Sequence, residues 1–258
     1  FADTIRAIKD RDPSILGEAL TPDFQGEPEL VATVAEAGAD VLAHNVETVA
    51  RLQWPVRDRR AGYEQSLSVL EQYARESGAY VKTSLMLGVG EYGHEVYRTL
   101  GDLREVGTDI VTFGQYLQPS RSHLEVFDYV HPDKFDTWRD VAEREFDFSY
   151  CASGPMVRSS FKAGEFFVEA VEREGRTVED ARAEARARGD CHRRRRRGRR
   201  HAPALATARR PTTAPVGDST SARRAPANPS YPAVDTGRGD RPCVSGKSYV
   251  KYTAPAAA

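Results

Sequence analysis

Short apolar runs that suit β-strands alternate along this chain with segments whose apolar residues have helical spacing. The strand-like runs cover residues 15–20, 41–43, 80–87, 110–113 and 146–152. Between them, residues 29–37, 62–75 and 96–106 carry apolar side chains at helical intervals. The unit of one strand and one helix repeats at roughly thirty-residue intervals, which predicts a parallel sheet with helices outside it.

Two architectures fit this alternation: an open doubly wound sheet and part of a (β/α) barrel. The first helical segment is predicted to direct Leu30, Val31 and Val34 toward the core, and the second segment a further apolar set. That second set is Leu67, Val69, Leu70 and Tyr73. In either architecture ligands gather at the carboxyl ends of the strands.

The charge distribution divides the chain into an acidic body and a basic tail. Residues 191–258 hold 15 Lys and Arg against 3 Asp and Glu, whereas residues 1–190 hold 22 against 35. The tail is rich in Arg, Ala, Pro, Ser and Thr, and it has few large apolar residues to bury. We therefore expect residues 1–175 to form the folded body, and residues 176–258 to be a helical extension followed by a disordered tail.

The basic tail has two interpretations. Clustered guanidinium groups suit a nucleic-acid or acidic-surface arm, because they displace counterions from phosphates. The tail lacks the interleaved aromatic residues of such arms, and its composition also resembles a shifted reading frame. A functionless, disordered tail is therefore the favoured interpretation, with a basic-tailed nucleic-acid binder as a remote alternative.

Composition also sets the expected compartment. The chain has no run of about 18 apolar residues and no signal-peptide layout near its start, which disfavours a membrane partner and predicts a cytoplasmic location. Three scattered cysteines, Cys151, Cys191 and Cys243, fit neither a disulfide framework nor a self-contained metal site.

Polar residues follow the second predicted strand. Asn45 and Glu47 would leave the strand on the same side, because strand side chains alternate. An amide beside a carboxylate suits the hydroxyls of a sugar or the charged end of an amino acid. An Asx turn followed by a helix capped by Thr48 explains the pattern equally well.

The next two strands also end in candidate binding segments. Gly88 and Gly90 let the backbone approach a planar or phosphorylated ligand, although glycine at a strand-to-helix turn more often has a structural role. The segment lacks the signatures of a P-loop and of a dinucleotide site. Gln115 and Tyr116, after the following strand, are predicted to face the barrel mouth.

A compact polar group follows the last predicted strand. Arg158, Ser159 and Ser160 come after a Gly-Pro break and precede an apolar residue. They suit either an anion-binding turn or a helix N-terminus capped by serine.

Taken together, the motifs resemble those of the lipoyl synthases. The matching segments occur in order over about residues 1–170: Leu-Thr-Pro-Asp-Phe-Gln-Gly at 20–26, His-Asn-Val-Glu-Thr at 44–48, Val-Arg at 56–57, Ala-Gly-Tyr-Glu-Gln-Ser-Leu at 61–67, Lys-Thr-Ser-Leu-Met-Leu-Gly at 82–88, Gly-Gln-Tyr-Leu at 114–117 and Ser-Gly-Pro-Met-Val-Arg-Ser-Ser at 153–160. The resemblance implies a radical S-adenosylmethionine enzyme on a partial (β/α)6 TIM-like barrel. Such an enzyme is a sulfurtransferase that inserts two sulfur atoms, at C6 and C8, into a protein-bound octanoyl chain during lipoate biosynthesis.

The resemblance also implies cofactors, partners and residue roles. The cofactors are two 4Fe-4S clusters and S-adenosylmethionine. The partners are an octanoylated lipoyl-carrier protein, either an E2 domain or the glycine-cleavage H protein, and a reductant such as ferredoxin or flavodoxin. Ser160 inherits an oxygen ligand position on the auxiliary 4Fe-4S cluster, with Arg158 beside it. The implied S-adenosylmethionine contacts are Asn45, Glu47, Arg57, Gly88, Glu91, Gln115 and Tyr116.

The chain departs from the family in its cysteines. The family's Cys-x3-Cys-x2-Cys and Cys-x4-Cys-x5-Cys motifs are absent from this sequence, and clusters need thiolates within a small radius. Ser84 also replaces the first glycine of the family's glycine-containing segment. These departures predict a carboxyl-terminal part of the enzyme, and the alternative function is a catalytically inactive truncated or frameshifted fragment.

Overall fold

The computed structural model describes residues 1–160, 163–181, 183 and 249–253. The strands are β1 (Leu16–Leu20), β2 (Val41–Ala43), β3 (Tyr80–Leu87), β4 (Ile110–Gln115), β5 (Tyr150–Ser153) and β6 (Tyr249–Thr253). They form one sheet in the order β5-β4-β3-β2-β1-β6, and every neighbouring pair is parallel. The predicted α/β class with a parallel sheet is confirmed.

Helices lie between successive strands, as parallel pairing requires, and further helices precede the first strand and follow the fifth. They are α1 (Ala2–Arg11), α2 (Pro28–Ala35), α3 (Gln53–Val56), α4 (Tyr63–Glu76), α5 (Gly93–Glu105), α6 (Pro132–Arg144) and α7 (Ala163–Arg173). Short 3₁₀ turns cover Phe24–Gly26 and Ala50–Leu52. This arrangement is consistent with the expected partial TIM-like barrel.

The outer face of the sheet packs against the helices that connect the strands. Alternate strand residues such as Leu42, Val81 and Phe113 meet buried side chains of α1, α2, α4, α5 and α6 in one apolar core. The predicted inward set of α4 lies in this core. Removal of these side chains from water is the main force that holds the helices on the sheet.

The inner face of the sheet is the one turned away from the helices of the first core. Helix α7 covers this face at the end where the strands begin. Leu16, Val41, Tyr80 and Ile110 are the first residues of β1 to β4, and they share a second apolar cluster with Phe167 and neighbouring residues of α7. The amino-terminal end of the inner face is therefore closed by apolar packing. Ligand access is left to the opposite, carboxyl-terminal edge.

Two local predictions are wrong. Leu30 is 50% exposed, although Val31 and Val34 are buried as predicted. The buried face of α2, which begins at Pro28, does not include Leu30. The fifth strand begins at Tyr150 rather than at residue 146. Asp147 has a φ of 56°, and this left-handed residue ends the preceding turn before the strand can start.

Strand β6 lies in the segment for which composition predicts no independent fold. It pairs with β1 over five residues, from Leu16↔Tyr249 to Leu20↔Thr253. The remainder of the predicted tail, including Cys191 and Cys243, lies outside the described residues. The division of the chain at residue 175 stays a prediction.

Candidate functional site

The carboxyl ends of β2 to β5 carry the polar segments singled out by the sequence. Because the strands are parallel, these segments emerge at one edge of the sheet. This edge is opposite the end closed by α7. We call it the carboxyl edge.

Glu47 occupies an unusual backbone position there. Its φ of 68° lies in the left-handed region, which glycine adopts more easily than glutamate. The Glu47 amide donates to the Ser84 carbonyl at 3.0 Å, and its carbonyl accepts from the Met86 amide at 2.8 Å. Strain of this kind persists where the surroundings hold it, and it is common at binding sites.

The side chains of Asn45 and Glu47 lie together, as expected, but not through strand alternation, because β2 ends at Ala43 and Glu47 has a left-handed backbone. The Asn45 side chain is hydrogen-bonded to the Glu47 carboxylate, and the positive charge of Arg57 acts on the same group. Burial is the largest influence and raises the pKa of Glu47, while the Asn45 hydrogen bond and Arg57 oppose it. The three residues thus form a polar cluster of both charges, which we call the Asn45–Glu47–Arg57 cluster.

Thr48 does not cap a helix. The 3₁₀ turn that follows has Val49 as its N-cap and no capping side chain. Thr48 is 1% exposed, and its Oγ1 has no hydrogen-bond partner among the residues described. The loop therefore holds a buried hydroxyl next to Glu47 with unused hydrogen-bonding capacity.

A buried network orients Arg57. Its Nη1 donates to Gln53 Oε1 and to Ser66 Oγ, each at 2.8 Å. Ser66 Oγ lies 3.0 Å from His44 Nε2, and His44 Nδ1 lies 3.0 Å from the Thr21 carbonyl oxygen.

The chemistry of these groups sets the proton positions. A carbonyl only accepts, so His44 Nδ1 carries a proton; in the neutral ring Nε2 then accepts from Ser66 Oγ, which itself accepts from Arg57. Burial lowers the pKa of His44, in agreement with this neutral form. Both ring nitrogens of His44 are thus engaged within the protein, and His44 supports Arg57 through Ser66.

The segment after β3 is a tight turn with structural roles for both predicted contacts. The Glu91 carboxylate accepts from the amides of Gly88 and Val89 at 2.7 and 3.0 Å. A Cβ on Gly88 would lie 2.3 Å from the Asp128 carbonyl oxygen, so only glycine fits. This supports the structural interpretation of the turn, and a direct ligand contact by Gly88 or Glu91 stays a prediction.

Gln115 and Tyr116 hold the loop that follows β4. Gln115 Nε2 donates to the Asp128 carbonyl at 2.9 Å, and its Oε1 accepts from the Val130 amide at 2.9 Å. Tyr116 donates from its hydroxyl to the Leu124 carbonyl at 2.7 Å. Both side chains are buried, and Gln115 alternates with Val111 and Phe113 on the helix-covered face. The predicted orientation toward the barrel mouth is not what the structure shows for Gln115.

The turn after β5 folds back over the end of β4. The backbone N–H of Gln115 donates to the Pro155 carbonyl at 3.3 Å. A Cβ on Gly114 would lie 2.2 Å from the Val157 carbonyl oxygen. Arg158 and Ser160 are exposed at this turn, so both lie at the carboxyl edge. Residues 161–162 lie outside the described part, so capping of α7 by serine stays a prediction.

Sequence reasoning missed a buried ion pair on the inner face. Lys82 Nζ lies 2.8 Å from Glu18 Oε2, and both side chains are at most 2% exposed. Glu18 is on β1 and Lys82 on β3, so the pair reaches across β2. Single charged residues within otherwise apolar strand runs were the available signal.

The described residues do not fit an iron–sulfur cluster. They contain no group of three or more His, Cys, Asp or Glu side chains placed to hold a metal ion. Cys151 is buried among the outer-face core residues, and burial raises its pKa well above the ordinary value. We assign no chemical step to a cluster on these residues. In the described ranges, no helix is both long and apolar enough to span a membrane.

Comparison with known proteins identifies the family. Over 189 residues, the chain is 75% identical to lipoyl synthase from Halorubrum lacusprofundi, an alignment that covers 73% of this chain and 61% of that protein. The chain belongs to the lipoyl synthase family over this matched part. Lipoyl synthase from Halobacterium salinarum is 73% identical over 186 residues, covering 72% of this chain and 60% of its own length.

The similarity to lipoyl synthases extends to eukaryotes. The chloroplastic lipoyl synthase of Chlamydomonas reinhardtii is 54% identical over 187 residues, which is 72% of this chain and 42% of that protein. No family model matches the chain. The chain spans about three fifths of the length of its archaeal lipoyl synthase relatives. The predicted family is confirmed.

Proposed function

We propose that this chain is part of a lipoyl synthase that inserts two sulfur atoms, at C6 and C8, into a protein-bound octanoyl chain. The observation that carries the proposal is the 75% identity to a lipoyl synthase over 189 residues. The proposal includes radical S-adenosylmethionine chemistry, an octanoylated E2 domain or H protein as substrate, a ferredoxin or flavodoxin as reductant, and a cytoplasmic location.

The Asn45–Glu47–Arg57 cluster supports S-adenosylmethionine as the ligand. The methionine part of this molecule carries an ammonium and a carboxylate. A half-buried carboxylate at Glu47 suits the ammonium, and the Arg57 guanidinium, held by Gln53 and Ser66, suits the carboxylate. The unpartnered Thr48 Oγ1 offers one more hydrogen bond.

These residues bind and orient rather than transfer protons. When bound, S-adenosylmethionine supplies the radical that abstracts hydrogen from unactivated carbon. The Asn45 hydrogen bond favours the charged form of the Glu47 carboxylate. The expected two 4Fe-4S clusters, with Ser160 as an oxygen ligand of one, remain part of the proposal without support from the described residues.

A binding measurement tests the assignment. We expect isothermal titration of the full chain with S-adenosylmethionine to give a measurable Kd, and Glu47→Gln to weaken it by about tenfold, because a charge-assisted contact to the ammonium is lost. Glu29→Gln changes an exposed carboxylate on α2 and serves as the control. Equal affinities for Glu47→Gln and the wild-type chain would remove Glu47 from the site.

An activity assay distinguishes the enzyme from the inactive fragment. The chain, anaerobically reconstituted with iron and sulfide, is incubated with octanoylated carrier, S-adenosylmethionine and reductant, and the carrier is analysed by mass spectrometry. Lipoylated product with about eight bound irons, as two four-iron clusters require, supports the enzyme. S-adenosylmethionine binding without product or bound iron supports the catalytically incomplete chain.

A further inference from the structure

An exposed arginine joins the two loops that flank the proposed S-adenosylmethionine site. Arg51 lies in the 3₁₀ turn Ala50–Leu52, four residues after Glu47 in the segment that follows β2. Its guanidinium reaches the turn after β3, where Nη2 donates to the Gly90 carbonyl at 2.8 Å. One side chain thus connects the segments that leave two neighbouring strands.

The same guanidinium binds the first turn of α5. Nε and Nη2 of Arg51 donate to the two carboxylate oxygens of Glu95 at 2.7 and 2.8 Å. Glu95 Oε2 also accepts from the Tyr92 amide at 2.8 Å, and the guanidinium lies 4.9 Å from the centre of the Tyr92 ring. These contacts fix the chain at Tyr92 and Glu95, on the carboxyl-terminal side of the turn formed by residues 88–91.

The amino-terminal side of that turn is held by a different group. The Glu91 carboxylate accepts from the amides of Gly88 and Val89. None of those bonds reaches the segment after β2. Arg51 is therefore the described side chain whose hydrogen bonds couple the position of this turn to the segment that carries Glu47.

We propose that Arg51, held by Glu95, is a positioning residue that keeps the Gly88–Glu91 turn in register with the Asn45–Glu47–Arg57 cluster, so that both sides of the S-adenosylmethionine site are formed before the ligand binds. The proposal rests on the proposed function. It assigns to Arg51 no contact with the ligand.

The geometry requires arginine. The bidentate contact with Glu95 and the third bond to Gly90 use the planar fork of a guanidinium, which an ammonium cannot reproduce. The Arg51–Glu95 hydrogen bond raises the pKa of Arg51 and lowers that of Glu95, in agreement with a persistent pair. Arg51 is exposed, and exposed ion pairs contribute little to global stability. Its loss should therefore change binding much more than folding.

Two measurements on the full chain test the proposal. We expect Arg51→Ala and Arg51→Lys each to raise the Kd for S-adenosylmethionine by about tenfold while the thermal midpoint stays close to that of the wild-type chain. Arg60→Ala is the matched control, because Arg60 forms an equally bidentate, exposed pair with Asp58 outside the glycine turn. Amide hydrogen exchange at residues 88–92 is expected to become faster in the Arg51 variants alone.

The outcomes separate the two proposals. If the wild-type chain binds S-adenosylmethionine but Arg51→Ala and Arg60→Ala bind alike, the positioning role is overturned and the proposed function stands. If the wild-type chain does not bind, the S-adenosylmethionine assignment fails for this chain, and the positioning role falls with it. In that case hydrogen exchange still shows whether Arg51 holds the turn. Full recovery of binding in Arg51→Lys would show that charge suffices and would overturn the geometric argument.

Discussion

The buried pair of Glu18 and Lys82 allows a quantitative prediction. Lys82→Met keeps most of the side-chain volume but removes the charge that lies 2.8 Å from the Glu18 carboxylate. Both side chains are almost completely excluded from water, so the variant removes one buried charge of this ion pair and retains the other, the Glu18 carboxylate, in the interior. Removing one partner of a buried pair costs about 3–5 kcal/mol. That is a large part of the roughly 5–15 kcal/mol that stabilises a typical domain.

The assay is urea unfolding followed by circular dichroism, which gives the free energy of unfolding for each variant. We expect Lys82→Met to lose about 3–5 kcal/mol, and the double variant Glu18→Met with Lys82→Met to recover most of this loss, because two apolar side chains of similar volume then meet. Arg60→Ala breaks an exposed pair and should leave the unfolding free energy unchanged within error.

Two results would refute this reasoning. A loss below about 1 kcal/mol in Lys82→Met would mean that the pair is solvated in solution. A double variant that is as unstable as the two single losses added would mean that the two charges do not stabilise each other.

Two further predictions concern pH and glycine. Burial lowers the pKa of His44 below its ordinary 6.5, so the unfolded chain binds a proton more readily. The stability due to neutral His44 is thus complete above pH 6.5 and declines as the pH falls below it, which urea unfolding from pH 7.5 to 5.5 measures. Gly88→Ala should cost more than about 1 kcal/mol, because its φ is 93° and its Cβ would lie 2.3 Å from the Asp128 carbonyl oxygen.

Each of these predictions has a control in the chain. His44→Gln should flatten the fall in stability toward acid, whereas the exposed His94→Gln should leave it unchanged; the same slope in both would exclude His44 as its source. Gly62→Ala is the glycine control, since the nearest atom to its Cβ, in Gln65, is 3.9 Å away. Equal stabilities for Gly62→Ala and Gly88→Ala would contradict the packing argument at Gly88.

Local rules account for the parts of the fold that were predicted correctly. The strands at residues 41–43 and 80–87 occur with the predicted bounds. The first is a short apolar run between polar residues, and the second combines apolar and β-branched residues with Lys82 and Ser84 and ends before Gly88. Strand alternation predicts that Asn45 and Glu47 lie side by side, but both residues lie beyond the end of β2 and Glu47 has a left-handed backbone, so the loop conformation brings them together. The predicted start of the fifth strand was wrong because the left-handed backbone at Asp147 has no clear signal in the sequence.

The charged and polar contacts required the tertiary structure. Glu18 and Lys82 are 64 residues apart, and they meet only because β1 and β3 flank the same short strand. Gln115 ends β4, just where a ligand contact is expected. The amide group of its side chain is instead hydrogen-bonded to a loop thirteen to fifteen residues further along the chain.

The amino-acid sequence by itself determined the family, the alternation of strands and helices, and the edge of the sheet at which the candidate segments lie. These depend on periodicity and on ordered motifs, which are properties of neighbouring residues. Only the tertiary structure decided which polar groups are used internally, such as Glu91 and Gln115, and which cluster at the carboxyl edge, such as Glu47 and Arg57. The physical reason is that a buried polar group must find a hydrogen-bond partner, and the fold brings those partners from distant parts of the chain.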